Sequence, residues 1–209
     1  VAIKTIVIIS DTHGMHDKLA IPEGDILIHA GDMCNAGKLR EVVEFNDWIG
    51  DLPHEHKIVI AGNHDWCFER QPNKTQAILT NCTYLQDSSV EIDGLKFFGS
   101  PWQPEFCNGA FNIRRGHDLR IKWSTIPDDV DVLITHCPPF GFGDGTFYGE
   151  SAGCVDLAKR VKEIRPRLHA FGHIHEGYGR WDKGGTTYVN GSSCNFNYQP
   201  VNPPLVFQI

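Results

Sequence analysis

Five short apolar runs in this chain each end in residue types that bind metals or move protons, and this repetition constrains the fold more than any other feature. Ile6-Val7-Ile8-Ile9 leads into Ser10-Asp11-Thr12-His13, and Ile26-Leu27-Ile28 leads into His29-Ala30-Gly31-Asp32. Lys57-Ile58-Val59-Ile60 leads into Ala61-Gly62-Asn63-His64-Asp65. Val132-Leu133-Ile134 leads into Thr135-His136, and His169-Ala170-Phe171 into Gly172-His173-Ile174-His175. Runs rich in Ile and Val, closed by glycine or a polar turn, read as buried strands. A strand holds its polar tip rigidly while the following loop carries chemistry, so ligands in open α/β sheets bind at strand carboxyl ends. A single polar tip is most simply a cap. Five of them are hard to explain as packing, because buried polar groups without partners cost stability.

Between the runs the pattern is β-α-β. Gly37 to Leu52 carries Leu39, Val42, Val43, Ile49 and Leu52 at helical spacing and ends before Pro53, so the first three strands are expected to be parallel. Further helices are expected near Thr75 to Thr80 and over Ala152 to Ile164, the latter ending before Arg165-Pro166. Asp93-Gly94 between Ser89 to Ile92 and Leu95 to Gly99 signals a hairpin. Strands over Leu168 to Gly172, Thr186 to Asn190 and Leu205 to Gln208 close an α/β fold, expected as one domain over residues 1–209.

Two segments read as loops over a site. Ser100 to Trp123 is aromatic and locally basic, with Trp102, Arg114 and Arg115 offering a ring face and guanidinium groups to a base and a phosphate. The alternative is a loop whose aromatics complete the core and whose arginines are solvated. Pro138 to Ser151, glycine-rich and directly after His136, is a candidate lid.

The formal net charge of −7 argues against a broad basic surface for bulk nucleic acid or an anionic membrane. No apolar run approaches the roughly 18 residues of a membrane span, and no charged-then-apolar leader opens the chain, so the expected location is cytoplasmic. Seven cysteines without a Cys-x-x-Cys pair read as reduced, buried thiols. Nothing in the sequence sets the oligomeric state.

Asp11, His13, Asp32, Asn63, His136, His173 and His175 supply seven donors, too many for one tetrahedral zinc and suited to two divalent ions sharing a carboxylate. Asp32 is the expected bridge, with Asp11, His13 and His175 on one ion and Asn63, His136 and His173 on the other. Gly172-His173-Ile174-His175 sits at a strand end, where a sharp turn, made plausible by Gly172, is expected to bring both histidines into the site. Nitrogen and oxygen donors favour manganese first, with iron or zinc as alternatives. Two ions about 3.5 to 4 Å apart hold a water as hydroxide near neutral pH and clamp phosphoryl oxygens. The centre is locally positive and attracts a phosphate ester.

His64 lies outside this count. Asp65 is placed to accept from its other ring nitrogen, so a cationic His64 is expected to stabilise the phosphoryl group or protonate the departing alkoxide. Asn63 and His64 are thus also candidate substrate contacts. In the alternative reading, Asp65 caps the next turn and His64 is structural.

Asp11-x-His13, Gly31-Asp32, Gly62-Asn63-His64-Asp65, Thr135-His136 and Gly172-His173-x-His175 together resemble the signature of the calcineurin-like metallophosphoesterase superfamily, in the family's order. Phe45-Asn46-Asp47-Trp48, Gly99-Ser100-Pro101-Trp102, His175-Glu176-Gly177-Tyr178-Gly179 and Asn202-Pro203-Pro204 resemble its metallophosphoesterase-domain-containing subgroup, known from vertebrate brain proteins. The resemblance implies two facing mixed β-sheets flanked by helices, with a dimetal site at the strand carboxyl ends. Some vertebrate members depart from the pattern at the first histidine of the last motif; this chain keeps His173. Purple acid phosphatases carry a tyrosine ligand three residues after the bridging aspartate, where this chain has Asn35.

The subgroup's chemistry implies a dinuclear-metal phosphodiesterase acting on a small phosphate ester, a 2',3'- or 3',5'-cyclic nucleotide, by in-line attack of a metal-bridging hydroxide. The alternatives are a phosphomonoesterase for nucleotides or phosphoproteins, and a non-catalytic scaffold that binds nucleotides or proteins. His64 weighs against the scaffold, since a pure binder has no use for a general acid.

Overall fold

Each of the five apolar runs forms a strand, and their side chains, buried on both faces, place those strands between two other layers. The computed structural model describes residues 3–209. In chain order the first half comprises β1 (Thr5–Ile9), β2 (Ile26–Ala30), α1 (Leu39–Gly50), β3 (His56–Ile60), α2 (Trp66–Arg70), α3 (Pro72–Ile78) and β4 (Thr83–Tyr84). There follow β5 (Ser88–Ile92), β6 (Leu95–Ser100), β7 (Gln103–Pro104), β8 (Asn112–Ile113), α4 (His117–Trp123) and β9 (Val132–Thr135). The last elements are α5 (Val155–Ile164), β10 (Leu168–Phe171), β11 (Gly179–Lys183), β12 (Thr186–Asn190) and β13 (Leu205–Gln208).

One sheet runs β13-β1-β2-β3-β4, parallel except for β13, and the other runs β11-β12-β10-β9-β6-β5 with antiparallel strands at both edges. Period-two alternation sorts the core into layers. Ile6, Ile8, Ile28 and Ile60 meet Phe97, Ile134, Leu168 and Val189 between the sheets. Val7, Ile9, Leu27 and Val59 face outward onto Val42, Phe45 and Ile49 of α1. Leu133, Phe171 and Tyr188 face the other way onto Leu119 and Trp123 of α4 and Leu157 and Val161 of α5. Each fully buried Ile or Phe contributes about 1.5–3 kcal/mol, and the sum clamps the two sheets face to face.

Helix boundaries differ from the sequence expectation for local reasons. α1 begins at Leu39 because Glu41 accepts from the backbone of Asn35, Ala36 and Lys38, stopping the turn before it. α5 begins only at Val155, since the backbone just before it is engaged elsewhere: Cys154 N–H donates to Pro138 and its carbonyl accepts from Phe140. Part of the segment expected to be irregular forms α4, whose Leu119 and Trp123 are buried one turn apart. β11 gave no apolar signal because it is an edge strand of largely exposed Arg180, Asp182 and Lys183. The Asp93-Gly94 hairpin forms with φ of 52° and 79°, the paired left-handed turn that such a dipeptide favours. All seven cysteines are free; five are buried as expected, whereas Cys82 is half-buried and Cys107 exposed.

Two buried histidines under the site are held neutral. Burial lowers His29 and His169 to about 3. His29 Nε2 lies 2.9 Å from Thr12 Oγ1, and His169 Nε2 lies 2.8 Å from Thr135 Oγ1. Unfolded, each titrates near pH 6.5, so below that pH the unfolded state takes up protons that the folded state refuses. Their stability contribution is complete above about pH 6.5 and falls as pH drops toward 3, by about 2–3 kcal/mol for each residue at pH 4.5. Urea unfolding at pH 7.5 and 4.5 measures this; His169→Gln is expected to lose distinctly less stability between the two than the parent chain.

Candidate metal centre

The seven candidate ligands sit on the turns just beyond the strands, and four of the ligand residues have strained backbone. Asp11, His13, Asp32 and His173 have φ of 52°, 45°, 57° and 69°, in the left-handed region that costs a non-glycine residue about 1–2 kcal/mol. Backbone bonds hold the strain in place. Asp11 N–H donates to Gly31 O at 2.9 Å, His13 N–H to Asp32 O at 3.0 Å, and Gly14 N–H to Met33 O at 2.9 Å, zipping the turn after β1 to the turn after β2. His173 N–H donates to the Asp11 carboxylate at 2.9 Å, tying the turn after β10 to the turn after β1.

The left-handed residue of the turn that brings both His173 and His175 into the site is His173 itself, directly after Gly172. Gly172 is needed for a different reason: a Cβ there would run into the Asp11 carboxylate and the Ser10 side chain. Gly62 is constrained likewise, since a Cβ would meet Asp32 and come within 2.6 Å of His136 Cε1.

The donors form two groups. In the first, His13 Nε2 lies 3.2 Å from His175 Nε2, and His175 Nε2 lies 3.5 Å from Asp11 Oδ1. In the second, Asn63 Oδ1 lies 2.9 Å from both His136 Nε2 and His173 Nδ1. Asp32 Oδ2 reaches each group, at 3.4 Å from His136 Nε2 and 4.0 Å from His13 Nε2. Two donors each about 2.1 Å from one ion, at tetrahedral to octahedral angles, stand about 3.0–3.4 Å apart. The separations within each group fit a pair of divalent ions with Asp32 between them.

Ring orientations support the same fit. His136 Nδ1 lies 2.9 Å from Ala30 O and His175 Nδ1 lies 3.0 Å from Asn195 O. A carbonyl only accepts, so both Nδ1 atoms carry hydrogen and both Nε2 atoms aim into the site. Burial opposes charge on His136, but the Asp32 carboxylate outweighs it and lifts its pKa to about 9. His175 is raised by Asp11 against the same burial penalty. Burial holds His13 low and brings His173 down to about 3. Asp11 and Asp32 stay ionised, because His175 and His136 overcome the cost of burying them.

His64 borders the first group: Nδ1 lies 2.9 Å from Asn35 O, and its ring stands edge-on to His13 with centroids 4.6 Å apart. The expected His64–Asp65 pairing does not occur. Asp65 is fully buried and accepts from Gly62 N–H at 2.7 Å, Asp32 N–H at 2.9 Å and Cys34 N–H at 2.8 Å, with Met33 N–H at 3.4 Å. Those donors saturate it, so Asp65 is a clamp on the turns carrying Asp32 and Asn63. Burial and the Asp32 charge push its carboxyl up to about 7, while these N–H groups pull it down.

The covering residues divide. Arg115 lines a cleft of about 600 Å³ that opens from His173 and His175, and its guanidinium donates to Gly153 O at 2.9 Å and Ala152 O at 2.7 Å. Trp102 and Arg114 are not on that lining. Trp102 donates its indole N–H to Asp87 at 2.8 Å and packs edge-on against Phe111, the core-completing role held as the alternative. Arg114 is solvated and paired with Asp118 at 3.4 Å.

The sequence reading missed a sixth strand end. At the end of β12, Asn190 donates to Ile174 O at 2.9 Å, and two residues on Ser192 Oγ donates to Asp11 Oδ2 at 2.9 Å. The rule that found five polar strand tips applies to this one too. Tyr198 was also missed; its ring centroid lies 4.8 Å from that of His13 and 5.1 Å from that of His175. No periodic pattern marks it, because it lies on an irregular loop.

A family model described as calcineurin-like phosphoesterase matches residues 4–177. The human metallophosphoesterase domain-containing protein 1 is 48% identical over 228 residues, covering 97% of this chain and 70% of that protein. A UPF0046 protein of Caenorhabditis elegans is 42% identical, covering 98% of this chain and 74% of its own length. Among solved structures, TT1561 of Thermus thermophilus superposes with a TM-score of 0.59 at 15% identity, covering 90% of this chain and 89% of that one, a likeness of fold alone.

Asp65→Ala leaves several buried N–H groups without an acceptor and is expected to cost at least about 3 kcal/mol in urea unfolding. Metal stoichiometry should fall with it, whereas His64→Ala keeps both stability and metal. Below about pH 9 the proton on His136 competes with metal. Affinity is therefore expected to weaken as pH falls, with roughly one proton or more released on binding at pH 7. Calorimetry in buffers of different ionisation heat measures that release.

Proposed function

This chain belongs to the calcineurin-like phosphoesterase family, close to the metallophosphoesterase-domain-containing subgroup, and we propose that it hydrolyses phosphodiesters, cyclic nucleotides first among them. It is a metal-dependent hydrolase by family and by site. The observation that carries the phosphoester reading is the pair of donor groups sharing Asp32 at the inner end of a cleft. Asp11, His13, Asp32 and His175 would hold one ion and Asp32, Asn63, His136 and His173 the other, with manganese the proposed metal. Bound there, the ions supply Lewis acidity toward phosphoryl oxygens and a water that is nucleophilic near neutral pH.

The chain's own residues do the rest. Asn63 turns its amide oxygen toward His136 and His173, which leaves its NH2 group to donate to a phosphoryl oxygen. His64 donates Nδ1–H to Asn35 O, which fixes the ring and leaves Nε2 to carry the proton for the departing oxygen. The anchor is a backbone carbonyl rather than the carboxylate expected from sequence, so the imidazole is oriented without a carboxylate on its Nδ1. Arg115 steadies the backbone before α5 on the cleft wall. The free thiols fit the proposed cytoplasmic location, and no helix among the described residues is long and apolar enough to cross a membrane.

The test compares the manganese-loaded protein on bis-p-nitrophenyl phosphate, 2',3'-cyclic AMP, 3',5'-cyclic AMP and 5'-AMP. Diesters are expected to be hydrolysed fastest; preference for 5'-AMP would make the chain a phosphomonoesterase, and no turnover with both metals bound would make it a binder. His64→Ala should keep its metal and lose about 100- to 10,000-fold in kcat, as removal of a general acid does.

A further inference from the structure

Aromatic rings crowd the mouth of the cleft and are not covered by the fold. Tyr148 is 81% exposed, Phe106 56% and Phe196 49%, and all three line the same cleft as His173 and His175. Singly exposed aromatics are ordinary on a protein surface; several around one opening are not. They are also held in place. Phe147 stacks on Phe196 with centroids 5.3 Å apart and meets Tyr148 edge-on at 5.6 Å. Phe147 N–H donates to Glu176 at 2.7 Å, which fixes the loop that carries Phe147 and Tyr148. Nearer the metal centre, Phe106 stands edge-on to His173 at 5.4 Å.

The charge along the same wall is the reverse of that expected for a phosphate-rich ligand. Glu105, Glu150 and Glu176 line the cleft, with Arg115 as the one cationic arginine or lysine side chain among its described lining residues. The Arg115 guanidinium is turned to two backbone carbonyls. Beyond the positive metal centre, the wall therefore repels further negative charge, while its carboxylates can accept from ring or exocyclic N–H groups.

We propose that the outer cleft is a subsite for a flat, uncharged heteroaromatic ring on a substrate with a single phosphoryl group, and that it discriminates against substrates bearing additional phosphates. The proposal rests on the phosphoesterase reading for what occupies the inner end. It places nucleobase-like arms on Tyr148 and Phe196, one phosphoryl group at the metals, and Glu150 as the residue that disfavours a second.

Calorimetric titration of the manganese-loaded protein with 5'-AMP, ribose 5-phosphate and adenosine 3',5'-bisphosphate tests it. AMP is expected to bind about tenfold or more tightly than ribose 5-phosphate, as a ring stacked on aromatics does. Tyr148→Ala or Phe196→Ala should shrink that ratio severalfold. The bisphosphate should bind no more tightly than AMP, and Glu150→Gln should strengthen the bisphosphate more than AMP. Equal affinity for AMP and ribose 5-phosphate overturns the ring subsite; bisphosphate binding well above AMP in the parent chain overturns the charge discrimination. Bis-p-nitrophenyl phosphate hydrolysis by the same preparations separates the two readings. Discrimination without hydrolysis keeps the subsite and rejects the phosphodiesterase, and hydrolysis without discrimination does the opposite.

Discussion

The Asp65 carboxylate, buried behind the turns after β2 and β3, accepts from the backbone of Gly62, Asp32, Met33 and Cys34. Its hydrogen bonds go to backbone rather than to metal-ligand side chains, yet it sets where Asp32 and Asn63 project, because their turns close around it. Asp32 can then hold a left-handed backbone conformation that an unsupported aspartate would leave. With Asp32 fixed, the remaining constraints follow. His64 N–H donates to Asp32 Oδ1 at 2.8 Å, and His13 and His136 take positions on either side of Oδ2. Hydrogen bonds among their turns thus hold the strained backbone of the four ligand residues in place.

The core's part is to bring the turns to one edge. Both sheets direct the ends of their parallel strands there, and Ser193 N–H bonds Ser10 O at 2.8 Å, linking the turn after β12 to the end of β1. Glycine is required where the two sheets' turns approach. At Gly172 and Gly62 any side chain would occupy the space of Asp11, Asp32 or His136. The electrostatics depend on the same closeness. Two buried carboxylates stay ionised because histidines face them, and those histidines take up charge in return. Divalent ions in these positions would replace protons with a stronger counter-charge at the same points, which couples metal affinity to pH.

Outside that cluster of ligand residues the cleft lining becomes aromatic and acidic. The change occurs across loops from three separate parts of the chain, carrying Phe106, Tyr148 and Phe196. A floor of metal-ligating residues ringed by loops separates the part of the site that would handle a phosphoryl group from the part that would meet the rest of the molecule carrying it.

The amino-acid sequence by itself determined the five site-bearing strands, their burial and the identity of their polar tips, because period and residue type are local properties. Ile6 to Ile9 followed by Asp11 and His13 is legible without any neighbour. So are the parallel order implied by α1 and the hairpin at Asp93-Gly94. Tertiary structure decided what each tip touches. Asp65 beside His64 reads as its partner in sequence, but folding turned the carboxylate inward to backbone donors and left the imidazole to Asn35 O. Trp102 and Arg114 look like substrate contacts in composition, yet Asp87 and Asp118 hold them elsewhere. Tyr198 and the acidic rim became visible only when loops far apart in the chain met at one cleft. Hydrogen-bond partners and charge neighbours are set by distances across the fold, and those distances are not encoded by spacing along the chain.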